Sequence, residues 1–278
     1  MTFSDVGQIE RKTQDRIIRL FTEVEGLGYI YLGNWEERQD NSNIEEILLE
    51  QNLKKRGYSE ILIKKALIEL KKSAVVQNKS LYDANKEVYS SLRYGVQVKG
   101  KTGENKKTVW LIDWKEWKNN DFYIAEEVTI QGQYNKRPDI VLYINGIAIG
   151  VLELKRSTIS VTEGIRQNLD NQKEIFIRHF FSTIQLVMAG NDTEGLRYAT
   201  IETPEKFYLT WKEDSSIENK INQGITSKTI AKFYCRPYAG LTAKHRLVIN
   251  NKTWNIVGDP KLKSINEMEL IIQKQEQG

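Results

Sequence analysis

Hydrophobic residues recur with two different spacings in the first 214 residues of the chain. Between residues 8 and 25, Ile17, Leu20, Phe21 and Val24 fall on one side of a helix. This spacing predicts helices over residues 8–25, 59–75, 80–93 and 162–181, and a capped start at 41–46 opens another that runs through about Leu53. Alternating or continuous apolar runs predict strands over residues 28–35, 108–114, 121–130 and 206–211, and two more between 183 and 203.

Residues 137–156 contain the strongest local pattern in the chain. Two apolar, β-branched runs, 140–144 and 147–154, flank Asn145-Gly146, a pair of residues typical of a tight β-turn. We therefore expect a buried β-hairpin, with strands 108–114 and 121–130 in the same sheet. Helices before and after these strands indicate an α/β fold.

Charged residues stand at the open ends of this hairpin, where burial is costly. Asp139 precedes the first strand, and Glu153 and Lys155 end the second on one face. A two-residue turn pairs Asp139 with Leu152 and leaves Glu153 on the opposite face. A three-residue turn with a bulged glycine instead pairs Asp139 with Glu153, and we favour this second register.

In the favoured register the two carboxylates lie roughly 4.5 to 5.5 Å apart at Cβ. Such a pair suits Mg²⁺, which binds one or two protein carboxylates together with phosphate oxygens. Lys155 would then face the reacting phosphate, so the arrangement indicates metal-assisted phosphodiester hydrolysis. The spacing alone favours a simpler interpretation, a solvated strand end with a surface ion pair.

The sequence RPDIVLYINGIAIGVLELKRS resembles the PD-(D/E)xK nuclease core of the restriction (R) subunit of type I restriction-modification enzymes. The resemblance covers about residues 8–214 and implies a restriction-endonuclease-like mixed sheet flanked by helices. It also implies that Asp139 and Glu153 bind the metal and that Lys155 is the catalytic lysine. The family commonly carries Gln-x-x-x-Tyr on the next helix; here Gln167 matches, whereas Asn171 stands at the tyrosine position.

Composition limits the alternatives. The chain has 278 residues, 40% of them hydrophobic and 28% charged, as in soluble globular proteins. No apolar run approaches the roughly 20 residues of a membrane span, no signal peptide is visible, and the single cysteine, Cys235, fits a reducing cytoplasm. Two histidines and one cysteine provide no His/Cys cluster for zinc.

Charge is distributed unevenly around a net value of +4. Residues 1–214 hold 31 basic and 32 acidic side chains, and residues 215–278 hold 10 and 5. Nucleic-acid binding therefore cannot be argued from overall charge. Glu126 and Glu127 lie in a predicted strand, one facing each way; the simpler interpretation is an exposed strand carboxylate, and the alternative is an extra acidic group near the metal.

The last segment departs from the α/β pattern. We expect a boundary near residues 212–216, a nuclease-like domain over 1–214 and a small β-rich domain or appendage over 215–278. Its predicted strands are 246–249, 253–257 and 268–273. The segment weakly resembles phage head–tail joining proteins, and an ordinary β appendage explains it equally well.

The resemblance implies a Mg²⁺-dependent DNA endonuclease domain without sequence specificity of its own. Its expected partners are double-stranded DNA and the modification and specificity subunits. In the family an ATP-driven motor follows, but this chain has no Gly-x-x-x-x-Gly-Lys-Ser/Thr loop and hence no expected ATP site. A truncated subunit or a fusion is expected, and the rival hypotheses are a non-catalytic DNA-binding or assembly module and a phage structural protein.

Overall fold

The computed structural model describes residues 6–23, 27–100, 103–211, 230–235, 241–242, 244–249, 252–257, 260–264 and 267–274. The chain divides into two compact units, Met1–Trp211 and Lys212–Gly278.

The first unit combines helices with a mixed sheet. The helices are α1 (Val6–Thr22), α2 (Glu46–Lys55), α3 (Glu60–Ala74), α4 (Leu81–Tyr94) and α5 (Val161–Asn171). The strands are β1 (Ile30–Asn34), β2 (Val96–Lys99), β3 (Lys106–Val109), β4 (Phe122–Glu126), β5 (Ile140–Ile144), β6 (Ile147–Leu154), β7 (Leu186–Asn191), β8 (Gly195–Ala199) and β9 (Leu209–Thr210). Among the described residues, no helix is both long enough and apolar enough to cross a membrane.

Seven strands form the main sheet in the order β1-β4-β5-β6-β7-β8-β9. The β1–β4 and β6–β7 pairs are parallel and the others antiparallel. This mixed sheet with flanking helices is consistent with the restriction-endonuclease-like fold expected from the sequence.

The register of the central hairpin is set by a different turn and bulge from those favoured above. Asn145 and Gly146 both have positive φ, +53° and +87°, and Ile144 pairs with Ile147, so the turn has two residues. The expected three-residue turn is wrong. Instead Ile149 bulges, because Tyr143 pairs with Ala148 while Leu142 pairs with Gly150. Ile140 then pairs with Leu152, and one further step in this register sets Asp139 opposite Glu153.

Gly146 offers a direct test of this turn. A Cβ there would lie 2.7 Å from both Glu45 O and Leu48 Cβ. Gly57 has a similar φ of +85° but no atom within 4 Å of the corresponding position. We expect Gly146→Ala to lower the free energy of unfolding by about 1 to 3 kcal/mol more than Gly57→Ala, because only the first adds a clash to the backbone strain. Urea denaturation measures the difference, and equal losses would show that the turn is not packed in this way.

The two faces of the sheet pack against different elements. Ile140, Leu152 and Leu154 lie in a cluster with Ile17 and Phe21 of α1. Val141 and Val151 point the other way and belong to a second cluster, which includes Phe180 and Phe181. Since side chains alternate along a strand, Asp139, Glu153 and Lys155 share the face of Val141 and Val151. This is the face that α5 covers.

Two further expectations need correction. The strand expected over 108–114 is shorter: β3 ends at Val109 and pairs with β2 in a separate two-stranded sheet. Leu111 and Ile112 are consecutive and both buried, which an alternating strand does not allow. The helix expected over 162–181 ends at Asn171, and a short 3₁₀ turn follows at Arg178–Ser182.

The second unit is a small sheet. Its described strands are β10 (Ile230–Cys235), β11 (Arg246–Ile249), β12 (Lys252–Ile256), β13 (Lys261–Ser264) and β14 (Glu267–Lys274). β14 pairs with β10, β12 and β13, and β11 pairs with β12. Ile256, Met268, Leu270 and Ile272 form its described core. The three strands expected here are present, with β10 and β13 in addition.

Candidate active site

The predicted acidic pair meets at the open end of the hairpin. Asp139 directly precedes β5 and Glu153 is the next-to-last residue of β6. The Leu154 amide donates to Asp139 Oδ2 at 2.6 Å, which ties the first carboxylate to the end of the second strand. Lys155 Nζ donates to Leu154 O at 3.0 Å. The backbone of Leu154 thus contacts both charged neighbours.

Glu153 is a buried acid with an acid beside it, and its side chain is 0% exposed. Burial raises the pKa of Glu153 well above its usual range, and the negative charge of Asp139 raises it further. A side-chain hydrogen bond with Asp139 also raises the pKa of Glu153, whereas the positive charge of Lys155 lowers it. The site therefore favours either a proton or a cation between its two acids.

Two amides on α5 hold the buried carboxylate from the helix side. Gln167 Nε2 donates to Glu153 Oε2 at 2.7 Å, and Asn171 Nδ2 lies 3.4 Å from Glu153 Oε1. One helical turn separates these residues, so they share a face. The helix can lie this close because Gly164 has no side chain: a Cβ there would be 3.1 Å from Ala189 Cβ and 3.6 Å from Glu153 Cβ. The structure thus brings all four predicted site residues together.

Glu126 and Glu127 border the site but are not the exposed carboxylates that the sequence favoured. Glu126 is only 2% exposed and accepts hydrogen bonds from Tyr31 at 2.6 Å and Arg11 at 3.1 Å. Gln14 Nε2 donates to both acids, at 2.9 and 3.2 Å, so they do not face opposite ways. Burial, followed by the charges of Asp139 and Glu126, raises the pKa of half-buried Glu127. Glu126, which pairs with Ile140 in the sheet, is held on the α1 face, whereas Glu127 lies close enough to Asp139 to be affected by its charge.

Comparison with known protein families shows the family to which the chain belongs. The family model described as Type I restriction enzyme R protein N terminus matches residues 8–206. The chain belongs to this family. The matched residues include both strands of the hairpin and α5. Every residue of the candidate site therefore lies within this R-protein N-terminal domain.

Curated relatives carry corresponding names. The chain is 24% identical over 259 residues to the type I restriction enzyme SauMSSORF170P endonuclease subunit of Staphylococcus aureus strain MSSA476, a match to 92% of this chain and 26% of the relative. It is 26% identical over 166 residues to the SsaAORF53P endonuclease subunit of Staphylococcus saprophyticus, covering 59% of this chain and 17% of the relative. The chain thus spans about a quarter of these relatives or less.

The length of the first match bears on the second unit. A match covering 92% of the chain extends past residue 214. It therefore relates part of residues 215–278 to the restriction subunit as well. The weak likeness of this segment to phage head–tail joining proteins stays a prediction.

The donor set of the R-protein N-terminal domain fits a magnesium ion. Within the described ranges, no three His, Cys, Asp or Glu side chains are gathered as a complete ligand set. Asp139 and Glu153 are two adjoining carboxylates, and the nearby Leu154 carbonyl is a further oxygen. Mg²⁺ prefers oxygen ligands and usually retains several waters, so two carboxylates are sufficient protein ligands.

Asn171 is the site residue that sequence reasoning missed. It stands where the family commonly has tyrosine, and that mismatch hid its role. The i, i+4 spacing from Gln167 places it on the same helix face. Its side chain is buried, which for an amide requires a polar partner, and Glu153 supplies one.

Proposed function

We propose that this chain contributes a Mg²⁺-dependent DNA endonuclease domain, which hydrolyses phosphodiester bonds. The observation that carries the proposal is the close approach of two carboxylates, Asp139 and buried Glu153, with the ammonium of Lys155 beside them. Two adjoining acids raise the folded-state energy unless a cation or a proton lies between them. A metal-dependent active site gives this costly arrangement a function.

Each site residue has a distinct role in this proposal. Asp139 and Glu153 would hold the ion, which would supply Lewis-acid stabilisation of negative charge on the phosphate. Lys155 places a positive charge beside the reacting phosphate and orients the attacking water. Gln167 fixes the direction of Glu153 through its 2.7 Å hydrogen bond, and Asn171 supports the other oxygen.

The proposed substrate is double-stranded DNA, contacted through its phosphates. With 31 basic and 32 acidic residues over 1–214, the first unit offers local contacts rather than a broadly basic surface. Base sequence would be read by the specificity subunit of a type I complex that also contains the modification subunit, so this domain carries no specificity of its own. No ATP site is proposed here, since no phosphate-binding loop sequence occurs in these 278 residues.

Plasmid nicking tests the proposal. Supercoiled plasmid is incubated with the purified chain in Mg²⁺, in Mn²⁺ and in EDTA. We expect cutting that needs the metal and is lost in Asp139→Ala. Asp121→Ala is the matched control, because Asp121 is also half-buried beside a strand of the hairpin sheet but contacts Asn52 and Lys55 instead. Metal-independent DNA binding by all three proteins, with no cutting, would replace the nuclease by a non-catalytic DNA-binding or assembly module.

A further inference from the structure

A cleft lies in the first unit, between the C-terminal ends of α2 and α4 and the segment 110–119. It has a volume of about 910 Å³, within the size range of small-molecule sites. The aromatic and cationic residues of its wall are Lys55, Arg56, Tyr58, Arg93, Tyr94, Trp110, Trp114 and Lys115. None of these belongs to the candidate active site.

The cleft is separated from that site by the length of the sheet. Its lining residues Ile112 and Asn119 adjoin Leu111 and Asn120 in the chain. The Asn145 side chain of the hairpin turn donates to Leu111 O at 2.8 Å and to Asn120 Oδ1 at 2.9 Å. Asp139 and Glu153 lie at the opposite end of the hairpin. Six residue steps from Asp139 to Asn145 at about 3.3 Å each put roughly 20 Å between the two places. A ligand in the cleft is therefore distinct from the phosphate that the candidate active site would cut.

Large aromatic side chains line the cleft and remain open to solvent. Trp114 is 51% exposed and Tyr94 is 66% exposed. The Trp114 indole is nevertheless held in place, because its Nε1 donates to Leu92 O at 2.8 Å. The backbone amide of half-exposed Trp110 likewise donates to Tyr58 Oη at 3.1 Å. Oriented, exposed ring faces are available for stacking with a planar ligand.

Positive charge accompanies these rings. The Arg93 guanidinium lies 5.4 Å from the Trp114 ring centroid, and Lys115 is the next residue in the chain. Across the residues that the structure describes, no carboxylate lies within 4.0 Å of either cation. Asp113, which also lines the cleft, is occupied by hydrogen bonds from Asn119 and from the amides of Lys115 and Glu116. A cation in the last turn of α4 complements the helix dipole, which accounts for Arg93 in part but not for Lys115.

We propose that this cleft binds an unpaired nucleotide. The base stacks on Trp114, and Arg93 and Lys115 bind the phosphate, a combination of ring face and cation typical of single-strand binding sites. The same chemistry is presented by a free nucleotide and by a nucleotide within a DNA single strand. The inference does not rest on the nuclease, because none of its residues takes part in the proposed cleavage.

Fluorescence anisotropy of the full chain in EDTA tests this inference without cleavage. The probes are a labelled oligothymidylate, a blunt duplex and, as a competitor, thymidine 5′-monophosphate. We expect the single strand to bind more tightly than the duplex, and Trp114→Leu and Arg93→Ala each to weaken binding roughly tenfold. Trp114→Phe keeps a ring and should retain most of the affinity. Trp211→Leu and Lys64→Ala remove an equally exposed tryptophan and a lysine elsewhere, and should bind like the parent.

The outcomes distinguish a free nucleotide from a DNA strand as the ligand, and they distinguish nucleotide binding in the cleft from DNA cleavage at the candidate active site. Competition by the monophosphate shows that a free nucleotide suffices, whereas binding of the oligonucleotide alone assigns the site to a DNA strand. Equal binding by all variants, tighter binding of the duplex, or no binding would overturn the inference. Asp139→Ala should bind the single strand normally while failing to nick plasmid, so either proposal can fail alone. Circular dichroism checks that Trp114→Leu is folded, and Arg93→Ala decides the matter if it is not.

Discussion

Glu153→Gln is expected to reduce DNA cleavage by about 10³-fold while leaving the folded protein at least as stable as the parent in the absence of metal. Losing roughly 4 kcal/mol of charge stabilisation in the transition state corresponds to this factor. The amide keeps the shape of the side chain, accepts from Gln167 through its oxygen and donates to Asp139. It removes the charge that burial and Asp139 both disfavour and, at the oxygen replaced by nitrogen, the long 3.4 Å contact with Asn171 Nδ2.

The same substitution should change how stability depends on pH. The folded protein holds the Glu153 proton more tightly than the unfolded chain does, because burial and Asp139 raise the folded pKa. Stability from this group is therefore fully present below the unfolded pKa of about 4.3 and is lost as pH rises towards the folded pKa. Relative to Glu153→Gln, the metal-free parent should lose up to about 1.4 kcal/mol per pH unit above pH 4.3.

Urea denaturation in EDTA at several pH values measures this difference. Glu126→Gln is the matched control, since Glu126 is equally buried but accepts hydrogen bonds from Arg11, Tyr31 and Gln14. Removing its charge should lower stability by about 1 to 2 kcal/mol. A Glu153→Gln protein that is less stable than the parent at neutral pH would mean that the buried acid is not under electrostatic repulsion.

Lys155→Met is the second substitution with a large expected effect, a loss of about 10² to 10³-fold in the cleavage rate. Methionine keeps the apolar stem that packs near Gly164, 3.5 Å from the Cβ position there, and removes the ammonium. The carboxylates remain, so Mn²⁺ should still bind. Cleavage is followed by single-turnover kinetics and metal binding by titration calorimetry.

Lys173→Met controls for loss of an exposed lysine that follows α5 and pairs with Asp170. It should cut like the parent. If Lys155→Met also cut at the parent rate, the ammonium would have no part in the reaction. If it lost metal binding as well as cleavage, its role would lie in organising Asp139 and Glu153 rather than in the chemical step.

The sequence was sufficient to find the hairpin because both of its determinants are local. Asn145-Gly146 favours positive φ at two successive residues, and the short, β-branched apolar runs on either side of this turn fit buried strands. The same stretch of sequence also predicted the acidic pair. The register of the hairpin could not be predicted, because it depends on a bulge at Ile149 and an apolar run carries no sequence signal for such a bulge. Asp139 and Glu153 therefore face each other as expected, but because of a β-bulge that the sequence does not predict.

Long-range packing explains the other differences. Glu126 and Glu127 have the sequence context of exposed strand residues, and only the approach of α1, more than 100 residues earlier, provides Gln14 as a shared partner. Residues 108–114 alternate like a strand, but the segment leaves its sheet after Val109 and buries Leu111 and Ile112 together. Asn171 gained its role from the position of α5 over β6. Such contacts are set by tertiary structure, which overrides local pattern.

The central claim is that Asp139 and Glu153 jointly bind one divalent metal ion. Anomalous diffraction from crystals of the chain soaked in Mn²⁺ tests this most directly, with Glu153→Gln crystals as the reference. We expect one strong anomalous peak in the parent, bonded to oxygens of both Asp139 and Glu153 and much weaker in the variant. No peak between these carboxylates at saturating Mn²⁺, or a peak that persists unchanged in Glu153→Gln, would contradict the account.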